Sequence, residues 1–173
     1  MPEFSHEDQQ VSDGVNLLIS MLVRYPEIGT INFEPDSNSL KLTFMISGIL
    51  SDKDYKATKK MLTDSALAYH MLVGLRNSHI DVEISSYRQV TILTILRDVH
   101  TLSRGEIALA IKLLREQFID RLVADRNDAM LEEDLLMQDE LIEDMLENMR
   151  QENNGHNSLI GIREDGRVFV FNK

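Results

Sequence analysis

Apolar residues recur at helical spacing near the start of the chain. Val11, Val15, Leu18, Leu22 and Tyr25 form one stripe and predict an amphipathic helix over residues 8–24. Pro26 pushes Tyr25 out of the helical region, so the helix should end there. The period then changes from helical to two. Ile31 and Phe33 alternate with polar neighbours, Pro35-Asp36-Ser37-Asn38 is a turn cluster, and Leu40, Leu42, Phe44 and Ile46 alternate with Lys41, Thr43 and Met45. This is the pattern of a half-buried hairpin.

Ser51 and Asp54 open a second helix, with Tyr55, Leu62, Ala66, Tyr69 and Val73 as its stripe and Gly74 and Asn77 as candidate stops. Ile80, Val82 and Ile84 alternate with Asp81 and Glu83, and residues 89–98 read as a more buried strand. Ser103 and Glu106 have capping-box spacing before a third stripe of Ile107, Ile111, Leu114, Phe118 and Leu122.

The two halves follow the same order. Ile31 and Phe33 match Val82 and Ile84 at an offset of 51, and Leu42 and Phe44 match Leu93 and Ile95 at the same offset. The expected body, residues 5–124, is an α+β pseudo-repeat, α-ββ-α-ββ-α. Its four-stranded, mostly antiparallel sheet should carry helices on one face.

Residues 125–152 differ in kind. They hold 11 acids and two bases, −9 of the chain's net −11. Leu135, Ile142 and Met149 fall seven apart, with Leu131 and Met145 near the same line and Leu136 and Leu146 beside it. A narrow apolar stripe on an acidic, Met-rich helix is expected, with Met130, Met137, Met145 and Met149 in this segment. Residues 153–158 read as a linker. Residues 159–173 then form an apolar hairpin around Asp165-Gly166, a dipeptide suited to a two-residue turn with positive φ. Its register should set Ile160 against Phe171, Ile162 against Phe169 and Glu164 against Arg167. A lone hairpin is at best marginally stable in water, so this one needs a surface: its own sheet, a second copy, or another protein.

Composition and motifs narrow the chemistry. Zero cysteines excludes disulfides and thiolate sites, and there is no phosphate-binding loop, dinucleotide fingerprint or nucleophile elbow. His6, His70, His79, His100 and His156 are scattered without metal-ligand spacing, and His70 reads as a helix-surface or boundary residue. No metal, cofactor or catalytic residue is expected. An acidic start argues against a targeting signal, no run is apolar enough for a membrane helix, and the expected compartment is the cytoplasm. Lys53, Lys56, Lys59 and Lys60 form a loose basic patch on the second helix. The order helix, hairpin, helix, strand resembles KH-like RNA-binding domains, but Gly74-Leu75-Arg76-Asn77 lacks the second glycine of their clamp.

The leading expectation is a non-enzymatic cytoplasmic interaction protein, an adaptor, assembly factor or regulator that forms a homodimer. Its contacts would be Leu135, Ile142, Met145, Met149, Ile162, Phe169 and Phe171. Glu140, Glu143, Asp144 and Glu147 would steer a basic protein partner. The alternative is an RNA- or ribosome-associated factor using the four lysines, although net acidity opposes nucleic acid. A third is a small enzyme with a carboxylate or histidine base.

Overall fold

The computed structural model describes residues 6–76, 78–125, 131–151 and 157–172. Asn77, Met130 and most of the expected linker lie outside them. The elements run α1 (His6–Arg24), β1 (Thr30–Glu34), β2 (Ser39–Ser47), α2 (Asp52–Leu72), β3 (Ile80–Tyr87), β4 (Val90–Asp98), α3 (Arg104–Gln117), α4 (Glu132–Gln151), β5 (Leu159–Glu164) and β6 (Arg167–Asn172). The class is α+β, as expected, but the sheet has six antiparallel strands rather than four, in the order β3-β4-β2-β1-β5-β6. The two extra strands are the C-terminal hairpin, which pairs through β5 with the free edge of β1, from Thr30 opposite Ile162 to Phe33 opposite Leu159.

Local chemistry explains the element ends. α1 stops at Arg24, before Pro26. Ser51 accepts from the Asp54 amide and Ser103 from the Glu106 amide, so both serine caps are in place. Asp165 and Gly166 have φ of 51° and 75°, the positive pair that a two-residue turn requires, and the expected register of the β5–β6 hairpin is the observed one.

Alternation sorts each strand. Ile31, Phe33, Leu40, Leu42, Phe44, Ile46, Val82, Ile84, Leu93, Ile95 and Leu159 are buried against the helices in one core. In the middle of the sheet, Leu42 faces Ile95 and Phe44 faces Leu93. Two hairpins offset by 51 residues and related by a two-fold axis normal to the sheet would pair in this way. The C-terminal hairpin breaks that relation, since it covers the edge of β1, whereas among the described residues no strand pairs with the equivalent edge of β3.

The acidic helix α4 lies on α1. Ile142, Leu146 and Met149 are fully or almost fully buried there, and Met145 nearly so. Arg24 binds Asp139 at 2.8 Å, Arg150 donates to the Leu102 carbonyl at 2.6 Å, and Glu143 accepts from the Arg104 amide at 3.2 Å, at the start of α3. Among the described residues no helix is long and apolar enough to cross a membrane.

Candidate functional site

Two features carry chemistry: a helix-free sheet face and a buried ion cluster. The face follows from the pleat. If Ile31, Phe33, Leu159 and Gly161 point to the helices, then Thr30, Asn32, Ile160 and Ile162 point away, as do Lys41, Thr43, Met45, Ile92, Thr94 and Leu96. None of the described helices covers that side. At the hairpin end, Ile160 stands beside Phe171 and Ile162 beside Phe169. The two phenylalanines are 50% and 37% exposed, and their rings lie stacked 6.2 Å apart between centroids. Met45, opposite Ile92, is also exposed. It lines an open cleft of about 220 Å³ with Thr30, Thr43, Val123, Asp125 and Arg163.

Arg163 fastens the hairpin from the other side. It donates to the carbonyls of Leu22, Tyr25 and Ile28, which lie at and just past the C-terminal turn of α1. Partial burial draws its pKa below the ordinary arginine value, against the opposing pull of Asp125 and Glu27. Gly161 lets β5 lie against α1, because a Cβ there would come within 2.9 Å of Leu22 Cδ1.

The residues expected to meet a partner therefore separate. Phe169 and Phe171 are exposed and Ile162 half-buried on the open face. Ile142, Met145 and Met149 belong to this chain's own core, and Leu135 is half-buried. Glu140, Asp144 and Glu147 are exposed on α4, whereas Glu143 is half-buried and bound to α3. The outward side of α4 also shows Leu136, Met137 and Leu141 among its acids, an apolar set that the heptad spacing did not single out. Lys53, Lys56, Lys59 and Lys60 all stand exposed on α2, sharing that surface with Asp52, Asp54 and Asp64.

The second feature corrects the reading of His70. It is not at the helix surface but buried, 1% exposed, with Nε2 2.5 Å from Oε1 of Glu106. The buried stripe of α2 is Thr58, Leu62, Ala66 and His70, so the stripe ends on His70 and Val73 is exposed. Glu106 likewise leaves its expected capping-box role: the Ser103 half of the box forms, but the carboxylate turns into the core. There Arg97 holds it with two bonds, Nε to Oε2 at 2.5 Å and Nη2 to Oε1 at 2.9 Å. Nη1 of Arg97 donates to the His79 carbonyl and to Asp98 Oδ1, both at 2.8 Å. Arg97 and Glu106 were not among the expected site residues. The available signal was that Arg97 is in phase with Leu93 and Ile95 on the inward face of β4.

This cluster ties α2, α3 and β4 together. The adjoining cavity, lined by Leu62, Ala66, Ile95, Glu106 and Leu113 among others, is about 20 Å³. That admits a water molecule and no substrate. His79 pairs with Asp81 on the surface and His100 lies by Asn38, so the three histidines with described side chains do not converge. Among the described residues no group of three or more His, Asp and Glu side chains is placed to hold a metal ion.

Asp98 carries a pH dependence. Burial alone would raise its pKa, but the Thr101 hydroxyl, the Arg97 charge and the Thr101 amide outweigh this and lower it. A carboxyl with a depressed folded-state pKa stabilises the fold above its unfolded value near 4, and that contribution is lost as pH falls through the folded value. Asp98→Asn should therefore lower the denaturation midpoint at pH 6, and the gap to the unmodified protein should narrow as pH falls below about 4. A gap that stays constant with pH would contradict this assignment.

Compared with protein-family models, with curated proteins and with solved structures, the chain matches none.

Proposed function

We propose that this chain is a non-enzymatic protein-interaction module, an adaptor, assembly factor or regulator of the cytoplasm, that docks through the helix-free face of its sheet at the C-terminal hairpin. One observation carries the reading. The hairpin is anchored within the chain by the pairing of β5 with β1, yet leaves Phe169 and Phe171 stacked and open on a face with Ile160 and Ile162 beside them. Contiguous exposed apolar surface of this kind marks interaction sites, and aromatic side chains supply much of the binding energy at such sites. The exposed acids Glu140, Asp144 and Glu147 on α4 offer a second contact for a basic protein, with an attraction that weakens as salt rises.

The test is affinity capture with the full chain and with a Phe169→Ser/Phe171→Ser variant. Both side chains point outward, so the variant should keep its fold and thermal midpoint within a few degrees while losing the captured proteins. Capture of the same proteins by the variant would refute the face as the docking surface.

A further inference from the structure

The sheet has two outer edges, and they are not equally protected. β3 reads Ile80-Asp81-Val82-Glu83-Ile84-Ser85-Ser86-Tyr87, so two copies of it could not pair around residue 82 without setting Asp81 against Glu83. β6 reads Arg167-Val168-Phe169-Val170-Phe171-Asn172, four consecutive apolar residues without charge, proline or glycine. Among the described residues nothing pairs with its outer side. Such an edge is a template for a further strand.

The turn fixes which backbone groups point outward. In a two-residue hairpin the flanking residues, Glu164 and Arg167, exchange both backbone hydrogen bonds. By alternation, Phe169 and Phe171 also bond toward β5, whereas Val168, Val170 and Asn172 direct their N–H and C=O groups outward. An antiparallel copy centred on Val170 pairs all three: Val170 with itself, and Val168 with Asn172 in both directions. The same register places Phe169 opposite Phe171 of the partner subunit, at the closer, non-hydrogen-bonded positions where aromatic pairs pack best.

Charge permits the approach. The chain carries −11 overall, but the stretch that would pair, Val168 to Asn172, carries no charge. We propose that two copies of this chain pair through β6, antiparallel about a two-fold axis at Val170, and join their sheets into one continuous sheet. This deepens the interaction-module reading by naming a second copy as one partner, and it leaves the helix-free face open and twice as wide. A single strand pair buries less than the ~800 Å² per partner of a standard interface, so the association depends on concentration.

Sedimentation velocity of the full chain from micromolar to near-millimolar concentration should show monomer passing to dimer. Val170→Pro removes the central outward N–H without taking a bond from β5, a placement proline tolerates on an edge strand. It should weaken the dimer about tenfold or more while leaving the circular dichroism unchanged. Should that variant misfold, cysteine substitutions decide, because the chain has no cysteine of its own. Val170→Cys should oxidise to a covalent dimer, with Cα atoms ~5.5 Å apart, and Phe169→Cys should not, with its own copy ~7–8 Å away. A chain that stays monomeric, a dimer indifferent to Val170→Pro, or crosslinking at Phe169→Cys instead overturns the proposal. A monomer that still loses its captured proteins in the Phe169→Ser/Phe171→Ser variant overturns the pairing alone. A dimer that captures the same proteins without the two phenylalanines overturns the face and leaves the pairing.

Discussion

A chain ending at residue 158 should melt about 10–20 °C below the full protein. Removing β5 and β6 takes away buried Leu159 and half-buried Val168 and Val170, and it uncovers Leu18, Leu22 and the edge of β1. Burial of one large aliphatic side chain is worth ~1.5–3 kcal/mol, so three of them at partial and full burial amount to ~5 kcal/mol. The Arg163 clamp on the end of α1 goes with them. A domain of this class holds only about 5–15 kcal/mol in total, and each kcal/mol moves the midpoint ~2–4 °C at this length. Thermal unfolding followed by circular dichroism measures the effect. An unchanged midpoint would show that the hairpin is an accessory to the fold rather than part of it. Truncation is for the same reason the wrong tool for mapping partners, and outward-facing point substitutions are the right one.

Glu106→Ala should cost ~3 kcal/mol, because it strips the acceptor from Nε and Nη2 of the buried Arg97 guanidinium, which is then held only at Nη1, by Asp98 and the His79 carbonyl. The loss reflects buried guanidinium N–H groups left without an acceptor more than a missing attraction. Replacing the whole cluster should therefore be far milder than breaking it. The triple variant Arg97→Met/Glu106→Leu/His70→Leu exchanges three buried polar side chains for apolar ones and should unfold at a midpoint well above that of Glu106→Ala alone. Chemical denaturation of the two variants against the parent decides this. If the triple variant is the less stable of the two, the cluster contributes net stability and the argument from desolvation fails.

These two sites also show what the residues disclosed in advance. The hairpin was legible to the residue pair, since Asp165-Gly166 sets the turn and alternation sets the register. Its resting place was not, because the choice among β1, a second copy and a foreign protein depends on which edge the fold leaves open. The sheet was consequently expected two strands too narrow. His70, Arg97 and Glu106 were missed for a different reason. Each occupies a position that periodicity assigns to apolar side chains, and polar residues in that phase read as interruptions. Glu106 was further disguised by its spacing from Ser103, which suits a capping acid. The acidic helix shows the converse. Its stripe was found at Ile142, Met145 and Met149, yet a stripe does not name its own partner, and α1 supplies one within the chain.

The pairing of β1 with β5 has a consequence for synthesis. The strand that completes one edge of β1 begins at Leu159, long after Glu34 has been made. At translation rates of ~5–20 residues per second, the edge of a newly made chain waits ~6–25 s for its neighbour. During that interval Ile31 and Phe33 sit on an open strand that any other nascent hairpin could join. Completion of this sheet thus waits for the last-made strands, and a chain that stops before Leu159 keeps an unpaired β1 edge of the kind that recruits other strands.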